Sequence, residues 1–167
     1  YTKVGFKNEV LDTKTYETTS TGTNPVYTKL TIPYKYNPNA EGGELKDWLE
    51  YELGEEGMNG LLEYIGYVIV EPGHTKHQWM LFIFGIGGAG KSMLLRFISR
   101  ALGEYNCCTI SLPKILNNNR FEYSSIINKT LARIEEVDGN KVDNFAFFKE
   151  HTSGSPLSVE EKNKPQV

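Results

Sequence analysis

Leu81-Phe82-Ile83-Phe84-Gly85-Ile86-Gly87-Gly88-Ala89-Gly90-Lys91-Ser92-Met93-Leu94-Leu95 decides how the rest of the chain is read. An apolar run, Leu81 to Phe84, enters glycine-rich sequence, then Lys-Ser, then an apolar helical pattern. From Gly85 to Ser92 the spacing is G-x-x-x-x-G-K-S, the P-loop pattern. The apolar run has the composition of a parallel strand buried on both faces. Glycine lets a backbone take positive φ and approach a ligand closely. The N–H groups of Gly85, Gly87, Gly88, Ala89, Gly90, Lys91, Ser92 and Met93, with the helix N-terminus behind them, then suit a polyphosphate such as that of ATP. Lys91 is expected to reach the β and γ phosphates, and the Ser92 hydroxyl to ligate Mg²⁺. A glycine-rich turn with no ligand is the plainer reading. The strand before it, the helix after it and the complete motif argue against that reading.

The chain has 167 residues, enough for one domain with a real core. Its hydrophobic fraction of 39% and charged fraction of 23% are those of a soluble globular protein. No apolar stretch is long enough to span a bilayer, and no signal-peptide pattern opens the sequence. Tyr1 stands where a Met would open a complete chain, so a segment of a longer polypeptide is expected. The net charge of −3 argues against an extended basic nucleic-acid surface but not a local one. Cys107 and Cys108 are adjacent, which poorly suits a structural disulfide, and no zinc spacing is present. Two partly buried thiols of a reducing cytosol are expected. His74 and His77 sit in a polar linker with no third ligand nearby, so a solvated linker is the better reading than a metal pair.

Ahead of the loop, Val4, Phe6, Val10 and Leu11 mark a short strand or hairpin, followed by a Thr- and Ser-rich loop. Val26 to Ile32 alternates like an exposed strand, ended by Pro33 and the Asn37-Pro38-Asn39 turn. Glu44 to Leu53 is amphipathic through Leu45, Trp48, Leu49 and Leu53, with Gly54 as a C-cap. A second helix is predicted over 59–70 on Leu61, Leu62, Ile65, Val68 and Ile69. Behind the loop, Lys91 to Leu102 is predicted as a helix turning Met93, Leu94, Phe97, Ile98 and Leu102 to the core, with Gly103 as its cap. A strand over 107–112, a helical turn over 113–116 and a short helix over 123–127 follow. Arg120 reads as a surface residue beside a core Phe121, or as a motor contact. Val142 to His151 is predicted helical, with Phe145 and Phe148 buried.

Thr130-Leu131-Ala132-Arg133-Ile134-Glu135-Glu136 is a strand ending in two carboxylates, the second chemical signal. A P-loop needs an acid on a neighbouring strand to hold Mg²⁺ and a group that orients the attacking water. Glu135 suits the metal and Glu136 the water. Strand residues alternate faces, so the strand has to end here for both to serve one site. Arg133 fits poorly in a covered parallel strand and is expected near an edge or a subunit contact.

Taken together, these stretches resemble the superfamily 3 helicases, most closely the motor of phage, plasmid and poxvirus-type primase-helicases. Gly85 to Ser92 matches motif A, and Leu131 to Glu136 matches motif B. Phe148-Lys149-Glu150-His151-Thr152-Ser153-Gly154 resembles the B-prime element. Ile32 to Pro38 and Leu62 to Tyr67 resemble the family's lead-in, and Phe6-Lys7-Asn8 a still earlier stretch. There are departures: Glu9 for a Gly, Ser155 for an Asp, and Ala89 where Asn is frequent. The family carries a DNA-contacting hairpin after B-prime, for which Lys162 and Lys164 are the matching residues; a solvated charged tail is the alternative.

The resemblance implies an α/β fold: a three-layer P-loop NTPase (AAA+-like) core over 74–167, with lead-in strands over 1–40 and a helical subdomain over 41–73. It implies an ATPase and DNA helicase of a viral or mobile-element replication protein, working in the cytoplasm of a bacterial host or virus-infected cell. Single-stranded DNA and a homo-oligomeric ring, a hexamer, are the implied partners, with no membrane. It also implies a sensor Asn on a further strand and an arginine finger, neither of which occurs before Val167. The core is therefore expected to be incomplete at its C-terminus, and this piece alone inactive. Another P-loop enzyme, or a nucleotide-binding assembly module, are the competing functions.

Overall fold

The computed structural model describes residues 3–21, 28–70, 77, 79–116, 120–135 and 153. The chain divides into two compact units, Tyr1–Pro72 and Gly73–Val167.

In the first unit, β1 (Lys3–Gly5), β2 (Glu9–Asp12) and β3 (Thr18–Ser20) form an antiparallel meander. β4 (Leu30–Thr31) joins β1 in parallel, giving the order β3-β2-β1-β4. Val4 pairs with Leu11 on one side and Leu30 on the other. The turn between β1 and β2 is closed by Phe6 N–H donating to Glu9 O at 2.7 Å. Thr18 and Thr19, expected in a loop, form β3; the β-branched Thr side chain suits a solvated edge strand, and all of β3 is exposed. Of the strand expected over 26–32, Leu30–Thr31 pairs, while residues 22–27 lie outside the described set.

α1 (Gly43–Val70) is broken at Gly54, which takes φ 70° and ψ 168°. Only glycine enters that region readily. Gly54 therefore interrupts the helix, as a cap would, but the chain resumes helix at once and needs no loop before 59. Leu49 is buried before the break, and after it Met58, Leu61, Ile65 and Val68 are buried at three- and four-residue steps. Leu62 departs from expectation and is exposed, because it lies one residue (about 100°) off that stripe. Leu45 is exposed as well. Val4, Leu30 and Ile32 form a buried cluster against which Phe6 and Ile69 pack. Strands and helix end thus share one core. The lead-in and the helical stretch, divided at 40/41 by sequence, fall within one compact unit.

In the second unit, α2 (Lys91–Leu102) follows the glycine-rich loop. Leu94, Ile98 and Leu102 are its buried stripe, and Gly103 N–H closes its end on Arg100 O at 3.1 Å. Met93, expected to face the core, is 62% exposed; the stripe is narrower than the apolar pattern and leaves its first turn open. A 3₁₀ turn (Glu104–Asn106) leads to β5 (Cys107–Thr109), then α3 (Leu112–Leu116) and α4 (Arg120–Tyr123). A second 3₁₀ turn (Ser124–Ile126) precedes β6 (Leu131–Arg133). β5 and β6 pair in parallel, with Cys107, Cys108 and Thr109 opposite Leu131, Ala132 and Arg133. Parallel strands cannot be joined by a tight turn, and α3 with α4 supplies the crossover. Ile110, with Leu112 and Ile115 of α3, forms a buried cluster, and Cys108, Tyr123, Ile126 and Ile134 pack against it.

Residues 79–84, read from composition as a buried strand, belong to neither sheet. Phe82 and Phe84 are 53% and 88% exposed and stack on each other with centroids 6.1 Å apart. A strand is made by its neighbours as well as its composition, and the described strands β5 and β6 pair with one another. The helix expected over 142–151 and its buried phenylalanines lie outside the described residues, as do residues 71–76. Among the described residues no helix is long and apolar enough to cross a membrane.

Candidate functional site

The loop is built by backbone geometry. Gly88 and Gly90 take φ 79° and 74°, in the left-handed region that side chains disfavour. Ala89 N–H donates to Ile86 O at 3.3 Å, closing the turn. Gly90 is then the N-cap of α2, with no side-chain cap bond, and Leu94 N–H makes the first helical bond to it at 3.0 Å. The leading N–H groups of α2 therefore have no capping side chain, the arrangement that makes a helix start receptive to anions.

Lys91 folds back over this turn. Its ammonium donates to Gly85 O at 2.8 Å and Ile86 O at 2.7 Å. A Cβ built on Gly85 would stand 3.5 Å from the Ala89 Cβ, ordinary contact. One built on Gly87 or Gly88 would meet nothing within 4 Å. The glycines at 87 and 88 thus leave room in front of the backbone rather than resolving a clash behind it. Gly85, Gly87, Gly88, Ala89, Gly90, Lys91, Ser92 and Met93 are brought together as loop and first helical turn, with Ser92 exposed.

At the end of β6, Glu135 pairs with Arg133, Nε to Oε1 at 3.2 Å. Arg133 is no stray charge. Its Nε donates to Thr109 Oγ1 on β5 at 2.8 Å, and its Nη1 to Ser99 Oγ on α2 at 2.5 Å. Ser99 is buried, and its hydroxyl in turn donates to Leu95 O at 2.9 Å. Arg133 lies on β6, an edge of the two-stranded sheet among the described residues, and there its side chain joins α2, β5 and β6. Sequence reasoning passed over Ser99 and Thr109; the one signal available was the misfit of an Arg in an apolar strand. The junction lines a cleft of about 440 Å³, along with Arg96, Arg100 and Cys107.

Burial pushes the Cys107 thiol up, against a smaller opposing effect of its bond to Ser99. Burial likewise raises Cys108. Both thiols are therefore neutral near pH 7 and poorly suited to nucleophilic work.

The oxygen donors present fit Mg²⁺, a hard cation that accepts hydroxyl and carboxylate ligands and keeps several waters. Of the residues expected to hold it, Ser92 carries a hydroxyl in the first turn of α2 and Glu135 a carboxylate two residues past β6. Among the described residues no three His, Cys, Asp or Glu side chains gather to hold a metal by themselves. A metal here would have to be completed by phosphate oxygens and water. Glu136, Lys162 and Lys164 lie outside the described residues.

The second unit carries the family assignment. Residues 83–167 match the family of unknown function DUF5906, and the chain belongs to that family. The match begins at Ile83, directly before the glycine-rich loop, and takes in α2, β5, β6 and Glu135. No curated protein matches the chain.

Proposed function

We propose that this chain is the ATP-dependent DNA helicase motor of a viral or mobile-element replication protein, of the primase-helicase type. The fold we propose for residues 74–167 is a three-layer P-loop NTPase core, AAA+-like. The observation that carries the reading is the Lys91 ammonium, lying across a turn with two left-handed glycines at an uncapped helix start. A cation so placed, beside open N–H groups, is what a polyphosphate needs. The parallel pair β5–β6, with Glu135 just past its end, adds support by offering a carboxylate within the same unit.

In this proposal the loop N–H groups of Gly85 to Met93 and the Lys91 ammonium bind the phosphates of ATP. Ser92 and Glu135 hold Mg²⁺, which when bound supplies charge neutralisation at the phosphates. Glu136 orients the attacking water. Single-stranded DNA is the track, with Lys162 and Lys164 as its contacts, and a homo-hexameric ring in the cytoplasm of the host or infected cell is the working form.

The test is ATP turnover by the full protein with and without single-stranded DNA. Stimulation by DNA is the expected result. Turnover indifferent to DNA would point to another P-loop NTPase, and nucleotide binding without turnover to an assembly module.

A further inference from the structure

The junction around Arg133 does more than satisfy a half-buried charge. Nη1 reaches Ser99, whose hydroxyl is bonded to Leu95 O in the helix that starts at the phosphate loop. Nε lies between Thr109 Oγ1 at 2.8 Å and Glu135 Oε1 at 3.2 Å. One planar guanidinium therefore touches the loop helix, the neighbouring strand and the carboxylate of its own strand end. Its rigid fork suits this in a way a lysine ammonium does not. The Arg133 side chain is 22% exposed and that of Glu135 43%, so the ion pair by itself adds little to stability. Its effect is on position: Glu135 is a long carboxylate at a strand end, and without a partner it would sample several rotamers.

We propose that Arg133 is a positioning residue for the metal carboxylate. It fixes where Glu135 stands relative to α2, and so relative to Ser92 at the helix start. The inference rests on the reading of the loop as a site for Mg²⁺-nucleotide. Partners that orient a metal ligand are typically worth 10- to 100-fold in metal affinity. The distinguishing prediction concerns Mg²⁺ alone, since phosphate binding by the loop does not pass through Arg133.

The experiment measures the affinity of the full protein for a fluorescent ADP analogue, in Mg²⁺ and in EDTA. Arg133→Gln is expected to lose about 10-fold of the tightening that Mg²⁺ confers. Its affinity in EDTA is expected to stay within about twofold of the parent. Glu135→Gln should lose the same Mg²⁺-dependent part, and the double variant no more than either alone, because groups acting as a unit are not additive. Arg133→Lys should restore only part of the loss. Ser99→Ala, which removes one anchor and leaves Arg133 in place, should show a smaller loss of the same kind. Equal weakening in Mg²⁺ and EDTA, or additive losses in the double variant, overturns the proposal. A parent protein whose affinity ignores Mg²⁺ overturns the site reading itself, and the proposal with it.

Discussion

Asn8 holds the main chain of Tyr36 at both of its polar groups: Nδ2 donates to Tyr36 O at 3.1 Å, and Oδ1 accepts from Tyr36 N at 2.7 Å. The pairing imitates a rung of a sheet with a side chain in place of a strand. Beside it, Lys7 N–H donates to Tyr34 O at 2.9 Å, and the Phe6 and Tyr36 rings meet with centroids 5.1 Å apart. The Phe6-Lys7-Asn8 stretch and the Pro33-to-Pro38 lead-in, separate in the sequence, therefore form one latch at the end of β1.

Asn8→Ala should destabilise the first unit by about 1–3 kcal/mol, because it orphans two half-buried backbone groups. Asn8→Asp keeps the acceptor for Tyr36 N–H but sets a carboxylate against Tyr36 O, and should not restore stability. Urea unfolding followed by Trp48 fluorescence, in a Trp79→Phe background, would measure this. An unchanged midpoint in Asn8→Ala would show the latch to be dispensable.

The loop glycines separate strain from space. At Gly88 an added Cβ meets no neighbour, but φ 79° costs an L-residue roughly 1–2 kcal/mol. Gly88→Ala should therefore lower stability and nucleotide affinity together. At Gly87 a Cβ also meets nothing within 4 Å, and its φ is not in the left-handed region. Gly87→Ala should fold normally and weaken nucleotide binding alone, by crowding the phosphate side. Thermal unfolding beside nucleotide titration distinguishes the two behaviours.

Lys91→Ala should abolish nucleotide binding. Glu136→Gln should bind ATP and hydrolyse it slower by a factor of about 100 or more, the usual worth of a group that handles the attacking water. Single-turnover assays check both, and normal hydrolysis in the second variant would remove Glu136 from its role.

Cys107 and Cys108 give a pH dependence with a definite sign. Burial raises both thiols, so the native state holds its protons more tightly than the unfolded chain. Their contribution to stability is complete below the ordinary thiol range. It is lost as pH rises above that range, through the elevated native values. Iodoacetamide should label the native protein far more slowly than the urea-unfolded chain at pH 8. Fast labelling of the native protein would contradict the burial of these thiols.

How far the sequence carried depended on the range of the interaction. α2 was legible because Leu94, Ile98 and Leu102 repeat at helical spacing and Gly103 ends them. The glycine turn was legible because two of its φ values require glycine. The polar contacts of Arg133 were not, since Thr109 and Ser99 lie 24 and 34 residues away and nothing local marks either as its partner. Asn8 was visible only as part of a resemblance; its partner is 28 residues on. Phe82 and Phe84 misled in the opposite direction. Their place in an unbroken apolar run fits a strand buried on both faces, yet burial depends on what lies alongside, and composition carries no information about neighbours.

Lys91 offers a last consequence. Two of its three donors are engaged by Gly85 O and Ile86 O, so an anion that takes more than the third competes with the protein's own carbonyls for the same ammonium. Affinity at this loop is an exchange of partners, and a titration reports only the difference between the two sets. Removing the ammonium deletes a ligand contact and a brace of the turn at once. The loop's rigidity and its appetite for phosphate are thus set by one side chain, and no substitution at Lys91 can alter the second while sparing the first.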